Sequence, residues 1–198
     1  MMRRLLHDRT GAGAAEFSLV LPLLILFLLG MIDTGRYMWE HNRAEKATQM
    51  GARMAVVTEV ISSGLASQSY VGVGGLGQGD VIPASALSPV VCTSTGCTCT
   101  GTCPTNFSSV TSGAFTRIAD RMRLMKPDIA DNKISVEYRG SGLGFAGDPN
   151  GMEVAPLVTV KLTGQQFRPL SFLMLTHVNM PDFATTLTSE DSSGTASN

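Results

Sequence analysis

The sequence has few aromatic residues and almost no charge in its central third. Of its 198 residues, 6% are aromatic and 16% are charged. Between Glu59 and Arg117 there is one charged residue, Asp80. The formal net charge is −1, with no basic or acidic block, so the chain lacks the electrostatic footprint of a nucleic-acid-binding protein. We therefore expect no nucleic-acid partner, and a thin core with a large share of loop.

The usual signs of catalysis and cofactor binding are also missing. The three histidines, His7, His41 and His177, stand far apart and outside any triad or two-carboxylate pattern. The motif G-x-G-x-x-G occurs twice, from Gly72 and from Gly142, but neither copy opens a helix, as pyrophosphate binding requires. We therefore predict that the chain is not an enzyme, that it binds no cofactor, and that both glycine runs are loops.

Cysteine is confined to one short segment with the spacing C-x4-C-x-C-x3-C: Cys92, Cys97, Cys99 and Cys103. This spacing differs from the paired C-x-x-C of zinc sites, so no metal is predicted. Pairing of Cys97 with Cys99 is disfavoured, because residues separated by one position point the same way in a strand. Two pairings remain open: Cys92–Cys97 with Cys99–Cys103, or Cys92–Cys99 with Cys97–Cys103. Disulfides are favoured over metal if this segment is exported, and the preference reverses if it is not.

One long apolar run stands near the N-terminus. From Ala12 to Ile32, every residue except Glu16 and Ser18 is apolar, small or proline. At 1.5 Å per residue the run spans roughly 30 Å, the thickness of one hydrocarbon core. By the positive-inside rule, basic residues before the run keep the N-terminus in the cytoplasm: Arg3, Arg4 and Arg9. Basic residues also follow the run and reduce the contrast: Arg36, Arg43, Lys46 and Arg53.

The run differs from a cleaved secretory signal. The sequence after it, GMIDTGRYMWEHNRAEKA, has neither a convincing A-x-A cleavage site nor the cysteine of a lipoprotein. A simple signal-anchor helix explains the hydrophobicity but leaves Glu16 unexplained. Insertion of a carboxylate costs a free energy of about 2.5–3.5 kcal/mol at mid-bilayer and less near the end of a span. Such a residue in a membrane helix usually binds a partner group. Stabilisation by the helix macrodipole is the alternative explanation for Glu16.

The stretch GAGAAEFSLVLPLLILFLLGMIDTGRYMWEHNRAEKATQMGARMAVV, from about Gly11 to Val57, resembles the N-terminal module of TadE-like pseudopilins. These are minor subunits of the tight-adherence (Flp-type) branch of the type IV pilus superfamily. The resemblance rests on the small residues before Glu16-Phe17, the Leu-rich run with one proline, and the Gly–acid–x-Gly-Arg sequence at its end. It implies that a prepilin peptidase cuts after Gly11. Ala12 then becomes the N-terminus and Glu16 the fifth residue, whereas a cut after Gly13 would make Glu16 the third.

The resemblance also implies roles for the residues of the run. Glu16, with Phe17 beside it, would pair with the Ala12 amine of a neighbouring subunit and set the register of assembly. Pro22 removes one backbone hydrogen bond, which membrane helices tolerate, and would bend the helix. Helix packing is assigned to this residue and to the large apolar side chains around it: Leu21, Pro22, Leu24, Phe27 and Leu28.

The fold class predicted is α+β, with a long transmembrane and amphipathic helix packed on a small antiparallel sheet, as in pilins. Apolar and small residues at helical spacing predict one helix from about Ala12 to Ser62. The row Ala47, Gly51 and Ala55 provides a narrow groove. We expect this groove to seat the helix on its own sheet, in preference to a contact between subunits.

The rest of the chain predicts a small α+β region. Thr111-Ser112 is expected to cap a second helix that stops before Pro127. KISVEYRG, MEVAPLVTVKL and FATTLTSE are predicted strands, FRPLSFLML a strand running into a short helix, and Asp148–Gly151 a turn. The segments expected are a leader (1–11), a transmembrane helix (12–32), an amphipathic helix entering the periplasm (33–63), a Gly/Ser/Thr/Cys-rich excursion with one or two short strands (64–112), an α+β periplasmic region (113–190) and a flexible tail (191–198).

The function implied by the resemblance is that of a minor pilin-like subunit that assists assembly of a tight-adherence pilus for surface attachment and secretion. The expected location is the bacterial inner membrane, as a single-pass protein that can enter the pilus. The expected partners are membrane lipid, the prepilin peptidase, the major Flp-type pilin, other minor pseudopilins and the tight-adherence membrane platform. The alternative is an uncleaved single-pass protein whose exported domain binds a partner in the cell envelope.

Overall fold

The computed structural model describes residues 12–149, 151–170 and 177–189. The chain divides into two compact units. The first combines the chain up to His41 with Gln166–Met180, and the second combines Asn42–Gln165 with the chain from Pro181 onward. The predicted cleavage residue Gly11, the tail from 191, Asn150 of the predicted turn and residues 171–176 of the predicted FRPLSFLML element lie outside the described residues.

A single helix, α1, extends from Ala12 to Val57 and contains Pro22. It ends five residues before the predicted Ser62. The reason is local, because the sequence from Val56 onward is rich in β-branched residues, which have low helix propensity. Thr58 also closes the last turn, where its hydroxyl donates to the Met54 carbonyl at 2.6 Å.

Among the described residues, two further α-helices, three short 3-10 helices and seven strands follow α1. The helices are α2 (Ser63–Ala66) and α3 (Ala114–Arg123). The strands are β1 (Val90–Thr93), β2 (Gly96–Cys99), β3 (Ile134–Arg139), β4 (Leu157–Leu162), β5 (Gln166–Phe167), β6 (Val178–Asn179) and β7 (Phe183–Thr188).

The second unit is built on one antiparallel sheet with the strand order β2-β1-β3-β4-β7. Alternating residues of β3 and β4 face the core, as the period of a strand requires. The later half of α1 and one face of α3 cover this side of the sheet. The buried set includes Ala47, Ala55, Phe115, Ile118, Met122, Val136, Tyr138, Val158 and Val160. The α+β prediction, with a long helix and a small antiparallel sheet, is confirmed.

Helix α3 has the apolar face that was predicted, but the cap that was predicted is wrong. Its N-cap residue is Gly113, with φ of 75°, and no side chain caps the helix. Glycine adopts this left-handed conformation without the steric penalty of a Cβ atom, and the chain turns directly into the helix from there. The Ala114 N–H bonds to the Thr111 carbonyl at 3.2 Å, so the predicted Thr111-Ser112 cap forms the preceding turn.

The two glycine motifs lie in loops that bond to each other. The Gly79 N–H donates to the Ala146 carbonyl at 2.7 Å, and the Ala146 N–H donates to the Asp80 carbonyl at 2.9 Å. Gly144 has φ of 118°, and a Cβ there would lie 2.1 Å from the Glu153 carbonyl oxygen. Glycine is therefore required at position 144 for close packing of the backbone. This requirement explains the glycine in the second G-x-G-x-x-G motif without any role in nucleotide binding.

Candidate membrane and assembly site

The first half of α1 presents apolar side chains to the outside around its whole circumference. Leu19 is 79% exposed, Leu23 is 69% exposed and Phe27 is 65% exposed. The most apolar window of this helix has no buried residue, and the helix is long and apolar enough to cross a membrane. A helix that is apolar on all sides is suited to lipid or to a fully buried environment. One N-terminal apolar helix of this kind is consistent with a single-pass membrane protein.

Glu16 lies in the second turn of α1, among these apolar residues. It is exposed, and its neighbours Phe17 and Val20 are 62% and 56% exposed. The nearby Ser18 hydroxyl is satisfied internally, because it donates to the Ala15 carbonyl at 2.8 Å. None of the ion pairs formed among the described residues involves Glu16. Its carboxylate is therefore presented outward from the helix.

The predicted packing residues fall into two groups. The residues of the apolar run are all exposed: Leu21, Pro22, Leu24, Phe27 and Leu28. The exposed fraction is 36% for Leu21 and 52% for Leu24. Their role in contacts between helices stays a prediction. Ala47, Gly51 and Ala55 are buried within the second unit. A Cβ placed on Gly51 would lie 2.7 Å from Met122 Cγ and 3.2 Å from Val160 Cγ1.

A buried carboxylate, Asp33, lies directly after the apolar run. It is 7% exposed, and its Oδ1 accepts the backbone N–H of Leu170 at 2.7 Å and the Arg36 guanidinium at 3.1 Å. Arg36 also donates to the Arg168 carbonyl at 3.4 Å, and its guanidinium stands 5.3 Å from the centre of the Phe167 ring. We call Asp33, Arg36 and the segment Phe167–Leu170 the exit clasp.

The exit clasp satisfies a charge that would otherwise be costly to bury. A carboxylate leaves water only when it is paired and hydrogen-bonded, and Asp33 has both a cation and a backbone donor. The Tyr37 ring adds an edge-on contact with Phe167, at 5.5 Å between ring centres. The acid and arginine of the Gly–acid–x-Gly-Arg sequence are therefore the residues that bind the Phe-Arg-Pro-Leu segment.

Sequence reasoning did not identify the exit clasp as a site. The signal was an acid immediately after an apolar run, with an arginine three residues later on the same helix face. Its partner segment is 137 residues away in sequence, and no local pattern points to it.

The four cysteines form two disulfides, Cys92–Cys97 and Cys99–Cys103. This is one of the two pairings left open by the sequence. Cys92 and Cys97 lie opposite each other in the β1–β2 hairpin, and this register brings their Cα atoms to 4.0 Å. Since all four sulfurs are bonded, they are not available as thiolate ligands. No group of three or more His, Cys, Asp or Glu among the described residues is arranged to hold a metal ion.

Three ionisable groups of the second unit join segments of the fold: the buried Tyr70 and Tyr138, and Glu153, which is partly exposed. The Tyr138 hydroxyl accepts the Ile61 N–H at 3.2 Å, and complete burial raises the pKa of Tyr138. Burial, with a contribution from Glu153, raises the pKa of Tyr70 to about 12. Burial opposes ionisation of Glu153, but donors that include the Tyr70 N–H at 2.7 Å hold its pKa below the usual value. Each of these groups bridges segments of one unit, and this is a structural role.

Comparison with known proteins bears on the N-terminal part of the chain. The family model described as TadE-like protein matches residues 11–53. A search of curated proteins and a search of solved structures found no match. The matched range contains Glu16, the whole apolar run, the Asp33 and Arg36 part of the exit clasp, and Gly51. The TadE-like family is a structural family of pilus systems, not an enzymatic one, and it suggests a protein associated with a tight-adherence pilus. The chain thus carries a TadE-like segment at residues 11–53, within an α+β protein of pilin-like layout.

Proposed function

We propose that the protein is a minor pilin-like subunit that assists the assembly of a tight-adherence pilus used for surface attachment and secretion. The observation that carries the proposal is that the TadE-like match at residues 11–53 contains the apolar run 12–32 of α1, in which the single carboxylate, Glu16, and nearly all large apolar side chains are exposed. A structural subunit of a fibre needs such a surface, because the same helix must be accommodated first in lipid and then among other helices.

Processing by a prepilin peptidase after Gly11 is part of this proposal. The cut removes the basic leader and leaves a free amine on Ala12, which carries a positive charge at neutral pH. Glu16 lies four residues further along the same helix, and its carboxylate is presented outward. In a bundle of such helices, an amine of one subunit and a carboxylate of the next form a pair in a medium of low dielectric constant, where correct register is strongly favoured.

The proposed topology places the N-terminus in the cytoplasm of a bacterial cell, α1 across the inner membrane and the second unit in the periplasm. The basic leader supports this orientation. The two disulfides support it independently, because such bonds persist in the periplasm and are rare in the cytosol.

The partners that fit this role are the major Flp-type pilin, other minor pseudopilins and the membrane platform of the system, with the prepilin peptidase acting first. The apolar face of α1 is the surface on which helices would pack. It includes Leu21, Leu24, Phe27 and Leu28, with Pro22 among them.

Complementation of a deletion strain of the native host tests the proposal. We expect Glu16→Ala to leave the chain cleaved and membrane-bound but to reduce pilus number severely. Glu45→Ala, which removes an exposed carboxylate from the later part of the same helix, is the matched control and should restore pili fully. Normal piliation with Glu16→Ala, together with uncleaved protein, would favour the alternative of a single-pass protein that binds an envelope partner.

A further inference from the structure

We propose that the protein has a second contact with the membrane, formed by three residues of the exit clasp whose side chains reach the surface: Arg36, Arg168 and Leu170. We call these residues the interfacial face. The inference rests on the proposed function, because it requires α1 to span the membrane. Its occupant is the headgroup layer of the same bilayer.

The depth of the interfacial face follows from helix geometry. The apolar run ends at Ile32, and Asp33 is one residue, about 1.5 Å, further along the axis. Asp33 Oδ1 binds the Leu170 N–H at 2.7 Å, so Leu170 lies at the end of the apolar run. A span of roughly 30 Å that ends at Ile32 places this level in the headgroup region.

Along Phe167–Leu170, buried and exposed side chains alternate, so one side of the segment packs on the protein and the other side can contact the membrane surface. Phe167 and Pro169 are buried within the first unit, whereas Arg168 is exposed and Leu170 is 47% exposed. Val178 of β6 is the register partner of Phe167, so its side chain lies on the Phe167 side of the strand pair and is not part of this surface. The sequence that joins the two strands, SFLMLT, is largely apolar as well, and the interfacial face as defined does not include it.

The charges and aromatic residues at this level favour a lipid surface over a protein partner. Arg168 supplies an exposed cation for lipid phosphate, whereas Arg36 is paired with Asp33, whose carboxylate is turned inward to the clasp. Trp39 is 60% exposed and lies less than two turns after Arg36, where membrane proteins place their aromatic belt. An exposed leucine beside an arginine at this depth matches the composition of an interfacial segment.

Fluorescence quenching in vesicles tests the interfacial face on the full chain. The native cysteines are all in disulfides, so one added cysteine carries a bimane label: Leu170→Cys, Leu24→Cys as the span control, or Val81→Cys, which is exposed in the second unit. The vesicles contain phosphatidylcholine and phosphatidylglycerol, with lipid brominated near the headgroup end of its acyl chains. We expect the Leu170 label to lose most of its fluorescence, the Leu24 label to be quenched, and the Val81 label to keep its intensity.

The outcomes separate this inference from the proposed function. Quenching at Leu24 without quenching at Leu170 overturns the interfacial face and leaves the membrane span intact. Absence of quenching at both positions overturns the span and the inference together. Equal quenching at Val81 also overturns the inference, because the contact would not be specific to this face.

A second pair of variants tests whether the exit clasp positions the face. Asp33→Ala removes the acceptor of the Leu170 N–H, so the Leu170 label should lose its quenching while the Leu24 label keeps it. Asp33→Asn retains an oxygen acceptor and should preserve quenching at both positions. Unchanged quenching of the Leu170 label in Asp33→Ala would show that the clasp does not hold the face at the membrane.

Discussion

Two buried tyrosines allow the value of a single hydrogen bond to be measured within this fold. The Tyr138 hydroxyl accepts the N–H of Ile61, whereas the Tyr70 hydroxyl has no partner among the described residues. We expect Tyr138→Phe to lower the free energy of unfolding by about 1–3 kcal/mol, because it leaves a buried N–H unsatisfied. Tyr70→Phe should be close to neutral. Thermal unfolding of the full chain in detergent provides the measurement, and an equal or larger loss in Tyr70→Phe would contradict this assignment.

The carboxylate of Glu137 gives a prediction for acid pH. Hydrogen bonding from Lys161 lowers the pKa of Glu137; burial opposes this effect, and Arg139 reinforces it. Because the folded-state pKa is below the unfolded value, Glu137 stabilises the fold above the unfolded pKa of about 4, and this contribution is lost as the pH falls through the folded-state pKa. Glu137→Gln should therefore lose less stability than wild type on acidification. The measurement is the free energy of unfolding as a function of pH, with Glu45→Gln as the control. Parallel curves for Glu137→Gln and wild type would contradict the prediction.

Single residues also mark what sequence reasoning missed. The role proposed for Glu16 rests on one charge in an apolar run, which is a local signal, and it stays a prediction. The role of Asp33 depends on Leu170, far away in the chain, so it appears only when the fold brings them together. Tyr138 and Ile61 form a long-range pair of the same kind, separated by 77 positions in the sequence.

The contact of α1 with the sheet depends on glycine at one position. A side chain at Gly51 must displace Met122 and Val160, so Gly51→Leu should lower stability by about 1–3 kcal/mol through overpacking. Gly35→Leu is the matched control on the same helix, because no atom lies within 4 Å of a Cβ at that position. The midpoint of thermal unfolding measures both variants. Similar midpoints for the two would show that α1 does not pack closely on the sheet at Gly51.

The disulfide hairpin gives a test at the level of an element. In the observed pairing, Cys92→Ala/Cys97→Ala leaves Cys99–Cys103 intact, so alkylation of the unfolded chain should find no free thiol. In the alternative pairing, both remaining cysteines would have lost their partners. Each disulfide closes a short loop and is worth about 2 kcal/mol by the chain-entropy argument. Recovery of two alkylated cysteines in intact-mass spectra would contradict the observed pairing.

Elements with a clear period were predictable, and those defined by distant partners were not. The alternation in KISVEYRG and FATTLTSE located β3 and β7, because one face of each strand meets the core. The predicted end of α1, Ser62, lies beyond the observed end at Val57. The prediction was wrong because Val60 and Ile61 fit a helical spacing but are not helical. The pairing of β1 with β3 connects segments about forty-five residues apart, and no local pattern predicts it. The choice between the disulfide pairings was resolved by the register of the β1–β2 hairpin, which places Cys92 opposite Cys97.

At the scale of the whole molecule, the proposed function assigns two environments to one chain. The apolar part of α1 would lie in the membrane and then in the fibre, and the disulfide-bonded α+β unit would lie on the exported side. The long apolar helix and the α+β class were predictable from the sequence, because hydropathy and strand alternation are local patterns, whereas the assignment of the two environments stays a prediction. The exit clasp depends on three-dimensional structure, and it fixes the segment Phe167–Leu170 at the level where the apolar run ends.

The most direct test of the central claim is the intact mass and N-terminal sequence of the protein purified from its native membrane. The account predicts a chain that begins at Ala12 and carries two disulfides. A chain that begins at Met1 or Met2, from cells in which the prepilin peptidase is active on the major pilin, would contradict it.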